Sequence, residues 1–108
     1  MLSATFWQTG RKSEGIEISK KTILLSPNDD ESHSNLGVML LEQGRLEEAE
    51  ASLINAISLN SKNPKNHYNL GVILKKLGRL KDAKLCYEKA ISFEPNYFKA
   101  HNNLGDIF

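Results

Sequence analysis

The sequence predicts an all-α fold, a solenoid of antiparallel helix-turn-helix units, on three observations. The chain repeats itself every 34 residues, each unit holds two stretches of helical apolar spacing, and a glycine stands between them. At that offset His33-Ser34-Asn35-Leu36-Gly37-Val38 falls on His67-Tyr68-Asn69-Leu70-Gly71-Val72, and His101-Asn102-Asn103-Leu104-Gly105 follows. Residues 30–63 and 64–97 share 13 identities without a gap, so each unit has the same length and the same turn. A fixed period in the range of roughly 20 to 50 residues marks a stacked array, and the helical spacing decides between helix and strand.

The first stretch, residues 1–29, joins the register as a degenerate repeat. Gly10-Arg11 lies 34 residues before Gly44-Arg45, Ile23 before Ile57, and Pro27 takes the place that Pro95 holds later. Its fit is weaker, because Ser3 and Gly15 stand where later units carry Gly37 and Ala49. The unit at 30–63 opens with Leu36, Leu40 and Leu41 on one helical face, and Gly44 ends that helix by supplying a left-handed residue at no steric cost. Leu46, Ala49, Leu53, Ala56 and Ile57 then mark a second amphipathic helix. The unit at 64–97 begins at Asn63-Pro64, where Asn63 is suited to cap exposed amides and Pro64 to the first helical position. Residues 98–108 read as the first helix of a further, truncated unit.

Gly37 and Gly71 each cost roughly 1 kcal/mol against alanine inside a helix, so their recurrence implies a neighbour too close for a side chain. Ala49, Ala56, Ala83 and Ala90 are the expected other side of that crossing. The chain stops at Leu104-Gly105-Asp106-Ile107-Phe108 in mid-helix without a polar closing helix, which points to a piece of a longer array or to ends that pair with another copy.

Composition narrows the function classes. With 40% hydrophobic and 25% charged residues the chain matches an ordinary soluble domain. No run approaches the roughly 20 apolar residues of a membrane span, and the start lacks the basic region of a secretory signal, so a cytoplasmic protein without membrane contact is expected. The single cysteine, Cys86, has no disulfide or metal partner in sequence and reads as a packed, inert thiol. No phosphate-cradling loop, nucleophile elbow or Cys/His set is present, so neither catalysis nor a cofactor is expected. The three histidines stand at repeat intervals, and packed helices sit about 8–10 Å apart, too far for His33, His67 and His101 to share a metal ion. A structural role is assigned to them.

The pattern Asn35-Leu36-Gly37, Gly44-Arg45-Leu46, Ala49 and Ala56-Ile57 at period 34 resembles the tetratricopeptide repeat. The resemblance covers nearly the whole chain and implies a right-handed superhelix whose first helices line a concave groove. The departures are His33, His67 and His101, where the family often has an aromatic, and Leu53, where Tyr87 supplies the usual ring in the next unit. Asn35, Asn69 and Asn103 recur on the first helices, and such amides can bond a peptide backbone through both donor and acceptor without reading its sequence. This is similar to the asparagine ladder of the repeat domain of O-linked N-acetylglucosamine transferase. The family's carboxylate clamp for chaperone tails is matched less well, because Val38 and Val72 stand where it wants polar residues. Those valines offer an apolar floor, and Lys76 lies one turn further along to meet a carboxylate. The expected peptide contacts are therefore Asn35, Asn69, Asn103, Val38, Val72 and Lys76.

Charge is divided by unit: residues 30–63 carry two basic and six acidic side chains, and 64–97 carry seven basic and three acidic. Lys75, Lys76, Arg79, Lys81 and Lys84 are the densest basic cluster, which reads as a solvated face because the overall basic bias and interleaved aromatics of nucleic-acid binders are missing. The expected function is a protein-interaction scaffold that holds an extended peptide or partner protein. The alternatives are a non-catalytic targeting module of a larger enzyme, such as a glycosyltransferase or sulfotransferase, or a fragment that forms homo-oligomers through its end faces.

Overall fold

The computed structural model describes residues 2–107, with side chains from Glu14 to Ile107, and these form six helices and no strand. In order they are α1 (Leu2–Leu25), α2 (Asp30–Glu42), α3 (Leu46–Leu59), α4 (Pro64–Lys76), α5 (Leu80–Phe93) and α6 (Phe98–Ile107). The helices α2 and α3 form one hairpin and α4 and α5 the next. The hairpins stack through α3 on α4, with α1 resting on α2 and α6 on α5, so the architecture is an all-α repeat solenoid.

One glycine sets each hairpin turn. Gly44 sits at φ 77° and Gly78 at φ 83°, in the left-handed region that a Cβ disfavours. The turn then recovers carbonyls that the helix end leaves open: Gly44 and Arg45 donate to Leu41 and Leu40 at 3.0 and 2.9 Å. Gly78 and Arg79 repeat this on Lys75 and Leu74 at 3.0 and 2.9 Å. At the helix starts, Asp29 accepts the Glu31 amide at 3.3 Å and the Ser32 hydroxyl at 2.8 Å, and Asn63 accepts the Lys65 amide at 3.0 Å. The helices α3 and α5 begin at Arg45 and Arg79 without a side-chain cap. There each arginine pairs with an acid in the first turn, Glu48 at 2.6 Å and Asp82 at 3.0 Å, whose charge also suits a helix N-terminus.

Close crossing explains the small residues. A Cβ on Gly71 would lie 2.6 Å from Cε1 of Tyr87, and one on Gly37 would overlap Cδ2 of Leu53. Ala49, Ala56, Ala83 and Ala90 are fully buried alongside. The core falls into two clusters, Ile16, Leu36, Leu40, Ala49, Leu53 and Ile73 in one, and Leu74, Ala83, Tyr87, Ala90 and Ala100 in the other. Leu70 and Leu77 pack against both, so stacking makes the two clusters continuous.

The histidines hold the links between units. In each, Nε2 meets the carbonyl six residues earlier: Pro27 at 2.9 Å for His33, Ser61 at 2.7 Å for His67 and Pro95 at 2.9 Å for His101. His67 also stacks on Phe93, with ring centroids 5.6 Å apart. Asp30 reinforces one link, its Oδ2 accepting from the side-chain amides of Asn60, Asn63 and Asn66 at 3.5, 3.5 and 3.3 Å.

The N-terminal segment differs from the register read in the sequence. The offset places a turn at Gly10-Arg11, yet α1 runs as one helix through it. Lys12-Ser13-Glu14-Gly15 bring no apolar side chain to bury after a reversal, whereas Leu46 and Ala49 do so in the next unit. The C-terminal half of α1 nonetheless packs on α2, burying Ile16 and bringing Gly15 to 3.3 Å from Sδ of Met39 by the Cβ measure. No helix among the described residues is long and apolar enough to cross a membrane.

Candidate functional site

A groove lies between α4 and α6, which the Asn103–Tyr68 hydrogen bond and the Lys75–Asp106 ion pair link, and α5 packs on both helices. It has a volume of about 350 Å³ and is lined by Val72, Lys75, Lys76, Tyr87 and Asn103. Each lining residue has a local reason for its place. Val72, Lys75 and Lys76 follow one another at helical spacing along the last turns of α4, where cations also complement the C-terminal dipole. Tyr87 fills the space that Gly71 leaves open, which carries its ring through the hairpin to the groove floor. Asn103 comes from the middle of α6.

The groove floor is a small polar network on an aromatic base. The amide nitrogen of Asn103 donates to the hydroxyl of Tyr68 at 3.2 Å and that of Tyr87 at 3.5 Å. Both amide protons are thus committed, and the carbonyl oxygen of Asn103 is the acceptor left for a ligand. Tyr68 touches Tyr87 and Tyr97, with centroids 5.9 and 5.2 Å apart. Burial pushes the Tyr87 phenol up to about 12, against the opposing effect of the Asn103 hydrogen bond, so it is neutral at physiological pH. Burial also raises Tyr97. The two lysines differ in commitment: Lys75 reaches Asp106 of α6 at 3.7 Å, whereas Lys76 has no ion-pair partner among the described residues. Beside Tyr87 in the sequence and packed against the same core cluster, the Cys86 thiol is pushed up to about 11 by burial, which suits a packed side chain and not a nucleophile.

The structure brings together three of the six residues expected from sequence, Val72, Lys76 and Asn103. Asn35 lies elsewhere, in a smaller depression of about 190 Å³ with Glu31, Ser34, Asn63, Lys65 and Asn66. Asn69 and Val38 are half-buried on α4 and α2 and line neither depression. Sequence reasoning missed Lys75, Tyr68 and Tyr87. Their signal was a break in the repeat: Leu41, Ser34 and Leu53 hold the equivalent places one unit earlier.

Three family models match the chain, one described as TPR repeat over residues 37–78 and two as tetratricopeptide repeat over residues 64–97 and 19–51. Among solved structures, the first TPR of Spaghetti (RPAP3) bound to the HSP90 peptide SRMEEVD is similar at 26% identity. Its TM-score is 0.89, over 96% of this chain and 82% of that one. The second TPR domain of human RPAP3, in complex with the HSP70 peptide SGPTIEEVD, is 26% identical with a TM-score of 0.86, over 96% and 87% of the two chains. An O-GlcNAc transferase mutant from Thermobaculum terrenum is 25% identical with a TM-score of 0.82, over 85% of this chain and 18% of that one. A comparison with curated protein sequences returns no match.

Proposed function

Because the chain belongs to the tetratricopeptide repeat family, whose models together span residues 19–97, we propose that it is a protein-interaction module that holds an extended acidic peptide along α2, α4 and α6. The observation that carries this reading is the convergence of Val72, Lys76 and Asn103 in one groove. Lys76 supplies a cation for a carboxylate, Val72 an apolar contact for a small side chain, and the Asn103 carbonyl an acceptor for a backbone amide. The peptides bound by the two RPAP3 domains end in Glu-Glu-Val-Asp, a valine between carboxylates, which is the combination these groups would receive. Asn35 and Asn69 would extend the contact to the backbone further along the same face.

Titration of the intact chain with fluorescein-labelled SGPTIEEVD tests this by anisotropy. Wild type should bind, Lys76→Glu should weaken binding by at least about tenfold through loss of one charge-assisted contact, and the triple Asn→Ala variant at 35, 69 and 103 should abolish it with helicity unchanged. A peptide in which both glutamates and the aspartate are replaced by their amides should bind more weakly than the acidic one. Equal binding of the two, or none of either, rejects the acidic-peptide reading.

A second reading has its own support. The chain aligns with only 18% of the O-GlcNAc transferase chain, so the same fold there is one part of a much larger enzyme. This makes a non-catalytic targeting module of a larger enzyme the alternative. A natural transcript that continues into a catalytic domain would favour it.

A further inference from the structure

A depression of about 190 Å³ lies between the first turns of α2 and α4, lined by Glu31, Ser34, Asn35, Asn63, Lys65 and Asn66. Every residue in it belongs to the two complete units, so it is built by their stacking. Asn66 is the unusual member. It is 0% exposed, its amide nitrogen donates to Oδ2 of Asp30 at 3.3 Å, and its carbonyl oxygen is buried without a hydrogen-bond partner among the described residues. The orientation of the amide is fixed, because a carboxylate at Asp30 only accepts and so takes the nitrogen end.

Folding alone does not call for an asparagine here. At the 34-residue offset Ser32 and Ala100 hold the same place, and Ala100 is equally buried with no polar side chain. Asp30 also has donors without it, from Asn60 and Asn63 at 3.5 Å each. A buried carbonyl left unpaired is unfavourable, so the position is better explained by an incoming group that donates to it.

The rest of the lining says which group. Glu31 and Lys65 bring opposite charges, so an ammonium meets a like charge at Lys65 and a carboxylate meets one at Glu31. A metal cation finds few open oxygens, because those of Asn60 and Asn63 already accept the Lys62 and Lys65 amides at 3.3 and 3.0 Å. A primary carboxamide is neutral and offers two N–H donors and one carbonyl. Its donors suit the Asn66 carbonyl and the Glu31 carboxylate, and its carbonyl suits Lys65 or the Asn35 amide.

We propose that this depression is a slot for the side-chain carboxamide of a glutamine or asparagine, carried by the same extended peptide that meets Lys76. The slot rests on the peptide reading and adds a residue requirement to it. From Lys65 to Lys76 α4 rises about 16 Å, which an extended peptide covers in about five residues.

Nitrogen-15 NMR of the intact chain, titrated with propionamide, propionate and propylammonium, tests the slot with three probes of one shape. Propionamide should shift the amide signals of Ser34, Asn35, Lys65 and Asn66 saturably, with at least about tenfold higher affinity than either charged probe. Asn66→Ala, which copies Ala100, should weaken propionamide binding at least about tenfold with helicity retained, and Glu31→Ala at an exposed position should weaken it as well. In anisotropy, glutamine placed in turn at each of the first five positions of labelled SGPTIEEVD should tighten binding at least about fivefold at one of them, and glutamate there should not. Propionamide that binds no better than its charged isosteres, an Asn66→Ala chain that binds it like wild type, or a glutamine scan without gain would each overturn the proposal. The unaltered SGPTIEEVD has no carboxamide side chain, so its binding reports the groove between α4 and α6 alone. If it binds while propionamide does not, only the slot fails; the reverse result removes the acidic peptide and leaves the slot.

Discussion

The two complete hairpins share a backbone design and differ in what they fill it with. In both, a glycine on the first helix opens a space for a side chain from the second, but α3 fills it with Leu53 and α5 with Tyr87. A leucine ends inside the core. The tyrosine is equally buried, yet its hydroxyl reaches the groove and meets Asn103. At the next positions along the groove, Leu41 and Glu42 in the first unit become Lys75 and Lys76 in the second. One scaffold thus presents a basic groove with a phenolic floor beside α4, and none of that beside α2. The repeated residues build the solenoid and supply Val72 and Asn103 to the groove, and the residues that break the repeat add its two lysines and its phenol.

The largest expected effect separates these roles. Tyr87→Ala should destabilise the chain by about 3–5 kcal/mol, since it empties a fully buried aromatic site and orphans the contact beneath Gly71. Leu53→Ala should cost about 2–5 kcal/mol by the same cavity argument. Chemical denaturation reads both, and peptide binding measured well below the unfolding midpoint should then fall only for the Tyr87 variant.

The glycines sharpen the comparison at intermediate size. Gly71→Ala pushes a methyl into a rigid ring and should cost about 1–3 kcal/mol. Gly37→Ala meets the end of a leucine that can rotate, so its cost should be smaller. Gly105→Ala meets nothing and should stabilise α6 by up to about 1 kcal/mol through helix propensity alone. Thermal melts of the three variants should fall in that order, and a destabilised Gly105→Ala would contradict the open space beside Gly105.

The smallest effect is one of pH. Burial raises Tyr87 to about 12, above the ordinary phenol value of 10 that applies to the unfolded chain. The folded state then holds its proton at a pH where the unfolded state has lost it. This contribution to stability is complete below pH 10 and is lost as pH rises through about 12. The urea midpoint should fall over that window, and Tyr87→Phe should flatten the fall, because Phe does not titrate.

Much of the fold was legible in the sequence because it depends on residues that recur for one physical reason each. Gly44 and Gly78 end helices because the turn needs a left-handed residue, and Asn63-Pro64 starts one through capping. The histidines were read as structural, and their rings do bond loop carbonyls, although the reach back over six residues has no signature in the 34-residue period. The single-helix form of α1 was not legible, because Gly10-Arg11 copies the turn dipeptide while the residues that would reward a turn are polar. The site was read only in part. Comparing units highlights what is shared, so three equivalent asparagines stood out, yet only Asn103 lies in the basic groove. Asn35 sits beside the linking loop with Asn63 and Asn66. Tyr87 was noted only as a core ring and Lys75 only as part of a solvated basic cluster, because the places where the units disagree carry no repeat signal for the groove.

The claim at the centre of this account is that the second hairpin binds because of the residues it does not share with the first. It is tested most directly by giving it the first hairpin's residues, Lys75→Leu, Lys76→Glu and Tyr87→Leu, and measuring affinity for the labelled acidic peptide by anisotropy. Loss of at least about tenfold in affinity, with helicity retained, is the expected result. Affinity equal to that of the unaltered chain would contradict it.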